Sequence, residues 1–232
     1  METLHIILIA VAVILAGAFV IVSKGQKGLL SLSFKSLASF AFTALGLSVC
    51  FIKGLNIIGM LFVLGLIASC FGDVILGLPD MPEMEKKATP LTLIGGLCFS
   101  IAHCFYMAGM ILLFGFKWWV ILIAVGLGLV FYLGNKFIGK LNYGPLEKGM
   151  PVYATFVSLV VAQSIMGFVS GANLVGTILL LVGFFLFWLS DIVLMNIYFG
   201  QKPEKKVFLY YFNLSFYYLA QILVATSLIF LL

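Results

Sequence analysis

Two acidic side chains lie deep inside segments that are otherwise almost wholly apolar. Asp73 and Asp191 each interrupt a long apolar run, whereas the other six acids fall at or beyond the ends of such runs. A charge at the centre of a bilayer costs about 2.5 to 3.5 kcal/mol on insertion scales, so acids in such places face a cavity or a partner and mark function by default. Asp73 stands 17 residues after Asn56, and Asp191 stands 18 after Asn173. At about 1.5 Å per helical residue both sit roughly 26 Å from the start of their runs, at one depth. Two carboxyls that meet in a greasy chamber would divide into one proton donor and one base, which is general acid–base chemistry.

Other polar groups fall close to that level. His103 lies 14 residues before Lys117, roughly 21 Å from the same boundary, and Tyr106 three residues on shares its helical face. Asn213, Tyr217 and Gln221 repeat every four residues as one stripe, with Asn213 near the level of the acids. Gly65, Ser69 and Gly77 follow the Asp73 stripe, and Gly96 and Ser100 the His103 stripe, which would let neighbouring helices approach closely. The expected result is one pocket opening inward. Lys35, just inside an apolar run, is expected to snorkel to the rim, where a cation can also hold a lipid phosphate.

Several chemistries are excluded by what is missing. A catalytic zinc needs about three protein ligands, and the chain has only His103 and a distant His5. No metal and no cofactor are therefore expected. No nucleophile elbow, phosphate loop or dinucleotide fingerprint occurs, and neither Ser164 nor Ser190 has a histidine at matching depth. Carboxylate chemistry remains.

The elements that position these residues follow from composition. Of 232 residues, 64% are hydrophobic and 9% charged, with a mean hydropathy of +1.25. A soluble domain has about 25% charged residues, so a water-soluble globule, a disordered chain and a nucleic-acid binder are all excluded. The expected fold is all-α: one integral membrane domain over residues 1–232, a polytopic bundle of eight transmembrane helices. The runs are Leu4–Val22, Phe34–Ile52, Asn56–Leu78, Leu91–Phe114, Trp118–Leu133, Val152–Val169, Leu174–Ile197 and Val207–Leu231, about the length a bilayer requires. All six prolines fall at or outside their ends. The four cysteines all lie in apolar runs and form no disulfide framework.

Orientation comes from the lysines. The odd-numbered loops hold eleven of the thirteen, among them Lys24, Lys27, Lys86, Lys87, Lys136, Lys140, Lys148, Lys202 and Lys205. The positive-inside rule then makes those loops cytoplasmic, places both termini outside and opens the pocket toward the cytoplasm of a bacterial cytoplasmic membrane. Ala16-Gly17-Ala18 resembles a cleavage site, but the Met1-Glu2 flank is not basic and the lysines follow, as for an uncleaved first helix. Trp118 and Trp119 suit an outer aromatic belt. Gly72-Asp73-Val74 and Ser190-Asp191-Ile192, followed by Phe105-Tyr106-Met107-Ala108 and Tyr217-Tyr218-Leu219-Ala220, occupy equivalent places in two four-helix halves. The halves would form a parallel repeat.

The ordered set Gly72-Asp73 with Leu76, then Gly95 or Gly96, Phe99, His103 and Tyr106, then Tyr153, then Ser190-Asp191 resembles the YhhN-like family of multi-pass membrane lysoplasmalogenases. The likeness runs end to end. The family commonly has Lys-Pro where this chain has Lys35-Ser36. What the resemblance implies is hydrolysis of the vinyl ether bond of a lysophospholipid, lysoplasmalogen, to a fatty aldehyde and a glycerophospho-head-group alcohol. On that reading Asp73 and Asp191 are catalytic, with either able to be the acid. His103, Tyr106, Tyr153, Ser190, Asn213, Tyr217 and Lys35 would bind or position the substrate.

Two other readings compete. Paired carboxylates at one depth in a repeated bundle also describe a proton-coupled transporter of small solutes or lipids, although no proline breaks any span. Alternatively, the aspartates serve only as hydrogen-bonding glue between helices. The bilayer is the expected partner, nucleic acid is not, and the sequence leaves the oligomeric state open.

Overall fold

A chain in hydrocarbon must satisfy its backbone polar groups internally, and here it does so entirely as helix. The computed structural model describes residues 3–23, 28–81, 83–200 and 206–232. Met1, Glu2, Lys24, Lys27, Pro82, Lys202, Pro203 and Lys205 lie outside the described residues. The helices are α1 (Thr3–Val22), α2 (Leu29–Ile52), α3 (Ile57–Gly77), α4 (Ala88–Phe114), α5 (Trp119–Leu133), α6 (Met150–Ser164), α7 (Met166–Val169), α8 (Leu174–Phe199) and α9 (Lys206–Leu231). No strand occurs among the described residues. Among the described residues eight spans are long and apolar enough to cross a membrane, with α6 and α7 together forming one. This is an integral multi-pass membrane protein.

Local chemistry sets the boundaries. Asn56 caps α3 by accepting from Gly59 N at 2.8 Å, and Asn173 caps α8 by accepting from Gly176 N at 3.1 Å, so both aspartate helices start with one device. Pro90 and Pro151 lie in the first turns of α4 and α6, where a missing N–H leaves no intrahelical bond unmade. Gly115, at φ 76, ends α4. Two boundaries differ from the apolar runs. Helix α2 begins at Leu29, five residues before Phe34, because Leu29 and Leu30 extend its lipid face. The fifth span continues through a π-turn, Gly134–Ile138.

The outer surface is apolar, with Ile14, Ile21, Phe71, Leu122 and Val152 exposed, as hydrocarbon contact allows. Inside, Phe42, Leu45, Phe62, Leu66, Leu180 and Phe184 are fully buried. Several helix pairs of the first half have a counterpart in the second, although α1 and α3 also pack on α9 more closely than α5 or α8 does on α4. Helix α2 packs on α1 and α3, and α6 on α5 and α8; α3 packs on α4 as α8 does on α9; across the halves α2 meets α9 and α6 meets α4. Gly128 permits the α5–α6 approach, since an added Cβ would come within 2.7 Å of the Thr155 backbone.

Candidate active site

Asp73 is buried in α3, four residues from its end. Its Oδ2 accepts two short hydrogen bonds, from Ser39 Oγ of α2 at 2.6 Å and from the Tyr217 hydroxyl of α9 at 2.7 Å. A longer chain feeds Tyr217. Tyr106 donates to Gln221 Oε1 at 3.0 Å, and Gln221 Nε2 donates to the Tyr217 oxygen at 3.3 Å. Each hydrogen in that chain points toward Asp73, so the carboxyl is its terminal acceptor. Ser69 Oγ lies 3.4 Å from the Tyr106 hydroxyl, and Tyr218 lies 3.3 Å from Ser39 Oγ.

Asp191 is buried in α8, and the Tyr153 phenol of α6 lies close enough to act on it electrostatically. The sequence suggests one shared pocket in which the acids couple directly. Instead, no hydrogen bond joins the two carboxyls among the described residues, and each has its own phenol. An aromatic wall connects them. The Tyr217 ring lies 5.4 Å from Phe187 and 5.7 Å from Phe99, and Phe187 precedes Asp191 by one helical turn. Phe99 of α4 and Phe187 of α8 also pack on each other, with centroids 6.1 Å apart, so the three rings form one cluster beside Asp73 and one turn before Asp191.

His103 packs edge-on to Phe187, with centroids 4.8 Å apart. Its Nδ1 lies 2.8 Å from the Phe99 carbonyl. A carbonyl only accepts, so Nδ1 carries the hydrogen and Nε2 of the neutral ring is left as an acceptor.

The sequence profile of the YhhN family matches residues 30–228, from the start of α2 well into α9 and including every residue named above. The chain belongs to the YhhN family. Comparison with curated proteins and with solved structures found no match.

Three placements in this YhhN protein differ from the sequence expectation. Lys35 reaches toward the last residue of α3 rather than away from the bundle. It is buried and turned toward α3, where a Cβ on Gly77 would lie 3.3 Å from its Cδ and 3.9 Å from its Nζ, and its charge is within electrostatic reach of Asp73. Asn213 serves neither aspartate. Its Nδ2 donates to both O and Oγ of Ser190 at 2.9 Å, and Ser190 Oγ donates back to the Asn213 carbonyl at 3.2 Å. This clamp of α8 to α9 holds the residue next to Asp191. The Gly96 end of the Gly96–Ser100 stripe faces open space, with nothing within 4 Å of a Gly96 Cβ, whereas a Cβ on Gly95 would meet Leu76 Cγ at 2.6 Å.

Ser39, Tyr218 and Phe187 of the YhhN site have no sequence signal beyond being polar or aromatic. Ser39 lies one turn after Lys35, and Gln221 one turn after Tyr217, so helical spacing could have linked both to the acid. Among the described residues no group of three His, Cys, Asp or Glu stands together as metal ligands would. Far from the acids, Lys136 and Tyr132 both donate to Glu147, and these bonds hold the Glu147 carboxyl below its usual range, the Lys136 bond foremost. Burial pushes the nearby Tyr143 phenol up to about 12.

Proposed function

We propose that this protein hydrolyses the vinyl ether bond of lysoplasmalogen, releasing a fatty aldehyde and a glycerophospho-head-group alcohol. The family includes lysoplasmalogenases, which supports a membrane hydrolase in general terms. The observation that carries the specific reading is the pair of buried aspartates, each met by a phenol and linked by an aromatic wall.

An alkenyl ether resists nucleophiles but yields to acid. A carboxylic acid transfers its proton to the outer vinyl carbon, and the electrons of the double bond form the new C–H bond. The oxygen lone pair then shares the positive charge as an oxocarbenium ion. Water adds to the inner carbon and gives its proton to a carboxylate. The resulting hemiacetal collapses: the carboxyl protonated by water gives that proton to the departing alcohol oxygen as the old ether C–O bond breaks, and the hemiacetal hydroxyl, becoming the aldehyde C=O, returns its proton to the first carboxylate. One water is consumed and both carboxyls are regenerated. The division of labour is that of glycosidases.

Two hydroxyl donors on Oδ2 and the Lys35 ammonium suit Asp73 to be the carboxylate of the pair, which leaves Asp191 as the acid. The faces of Phe99, Phe187 and Tyr217 can stabilise a developing cation between them. The neutral His103 ring offers an acceptor to the attacking water. A lysolipid entering sideways from the cytoplasmic leaflet would keep its head group near the lysine-bearing loops.

Purified protein in detergent, given lysoplasmenylethanolamine, is expected to release aldehyde, and Asp73→Asn and Asp191→Asn are each expected to lower release at least about 100-fold while the protein stays folded. Undiminished release in both variants overturns the mechanism. Proton-coupled uptake into proteoliposomes with no aldehyde formed overturns the reaction class in favour of transport.

A further inference from the structure

A cleft of about 280 Å³ lies between α4 and α6, and neither aspartate lines it. Helix α4 contributes His103, Cys104, Met107 and Ala108, and α6 contributes Phe156 and Val160. Its wall is apolar apart from the His103 ring at one end. Cys104 is exposed, so the cleft opens to the bilayer side of the bundle. From His103 to Ile111 it follows eight residues of α4, about 12 Å at 1.5 Å per residue. It is smaller than the roughly 300 to 1,000 Å³ of ordinary ligand pockets, a slot rather than a chamber.

The inner end of this slot adjoins the acids. Tyr153, the phenol beside Asp191, lies three residues before Phe156 and seven before Val160, so all three share one face of α6. His103 at the same end rests on Phe187, one turn before Asp191. The far end runs toward the loop that joins α4 to α5.

We propose that this slot seats the single hydrocarbon chain of the substrate amphiphile, with its polar end at His103 and the Tyr153–Asp191 pair. The proposal deepens the hydrolase reading and takes its head-end chemistry from it. A chain leaving lipid for an apolar slot gains no hydrophobic free energy, because hydrocarbon surrounds it in both places. Selectivity therefore rests on shape, which admits one chain, and on the polar groups at one end. The reacting bond of a single-chain vinyl ether lies at the head end of the chain, which is the end of the slot that His103 closes, resting on Phe187 one turn before Asp191.

The test uses an uncleavable probe, a lysophosphatidylethanolamine whose one chain is a saturated alkyl ether bearing a mid-chain diazirine. The probe is photolysed with the full-length protein in nanodiscs of diacyl lipid. Adducts are expected to concentrate on Met107–Ile111 and Phe156–Val160, and a saturated alkyl-ether lysolipid should suppress them where added diacyl lipid does not. Adducts spread evenly over the exposed faces of α1, α2 and α5 overturn the proposal. Ala108→Trp, which fills the slot, is expected to remove the focused adducts and to lower kcat/KM for long-chain relative to short-chain vinyl ethers at least tenfold. An unchanged chain-length ratio with a folded variant also overturns it. The labelling arm reads binding alone: focused adducts without aldehyde release would sink the hydrolase reading and leave the slot standing, and release with diffuse adducts would do the reverse.

Discussion

Tyr217 donates to Asp73 Oδ2 at 2.7 Å while its ring packs 5.4 Å from Phe187, one turn before Asp191. One side chain of α9 thus touches one acid through its hydroxyl and the approach to the other through its ring. The α3 and α8 acids are joined by α9 and by aromatic packing rather than by each other.

If the two acids share one reaction, their losses do not add. Asp73→Asn and Asp191→Asn are each expected to lower aldehyde formation by about 10² to 10⁴, as removal of a general acid or base does. The double variant should fall little further, because a step that needs both is lost with either. Additive losses in the rate assay would mean that the carboxyls act independently.

Tyr217→Phe keeps the ring and deletes the hydroxyl. A hydrogen bond to a charged group contributes about 1.5 to 3 kcal/mol, so a roughly 10- to 100-fold loss of kcat is expected if the bond acts in the transition state. Tyr106→Phe removes a donor two links further away and should cost less. An equal loss in both would place the effect in packing rather than in support of Asp73.

Two glycines make opposite predictions. A Cβ at Gly65 would come within 2.4 Å of the Tyr106 ring, so Gly65→Ala should push Tyr106 away from Gln221 and destabilise by about 1 to 3 kcal/mol, as overpacking does. Gly96 has open space around it, and alanine there should be neutral or slightly stabilising, by up to about 1 kcal/mol from helix propensity. Thermal melting in detergent separates the two.

At the lysine-bearing end, Glu147 titrates lower in the folded chain than in the unfolded one because Lys136 and Tyr132 donate to it. Its contribution to stability is therefore present above the unfolded value of about 4.3 and disappears as pH falls through the depressed folded value. The Tm of the native protein should exceed that of Glu147→Gln near neutral pH, and the two should converge in acid. The gap should be small and shrink with salt, since both side chains of the pair are about a third exposed, at 37% and 33%.

The spans, and the place of each acid along its helix, were legible because each depends on counting along a single helix. Asn56 and Asn173 mark starts, apolar runs give lengths, and a carboxylate in such a run stands out against hydrocarbon. What was hidden depends on how helices are rotated against one another. Ser39 donates to Asp73 and Ser100 to the Gly96 carbonyl of its own helix, yet both are small polar residues in apolar helices. Lys35 read as a rim cation since long stems usually reach for water, but Gly77 leaves a groove in which its stem lies. Asn213 lies near the right depth and still turns to Ser190, because a reciprocal clamp satisfies its amide within one helix pair.

The twin asparagine caps act as fixed zero points on a ruler. Counting from them, 17 residues lead to Asp73 and 18 to Asp191, and every residue added or removed in between swings the carboxyl by about 100° around its helix. Insertions that surface loops would absorb would turn the acids of these two stretches away from their partners, so segment length there constrains the site as firmly as any side chain does.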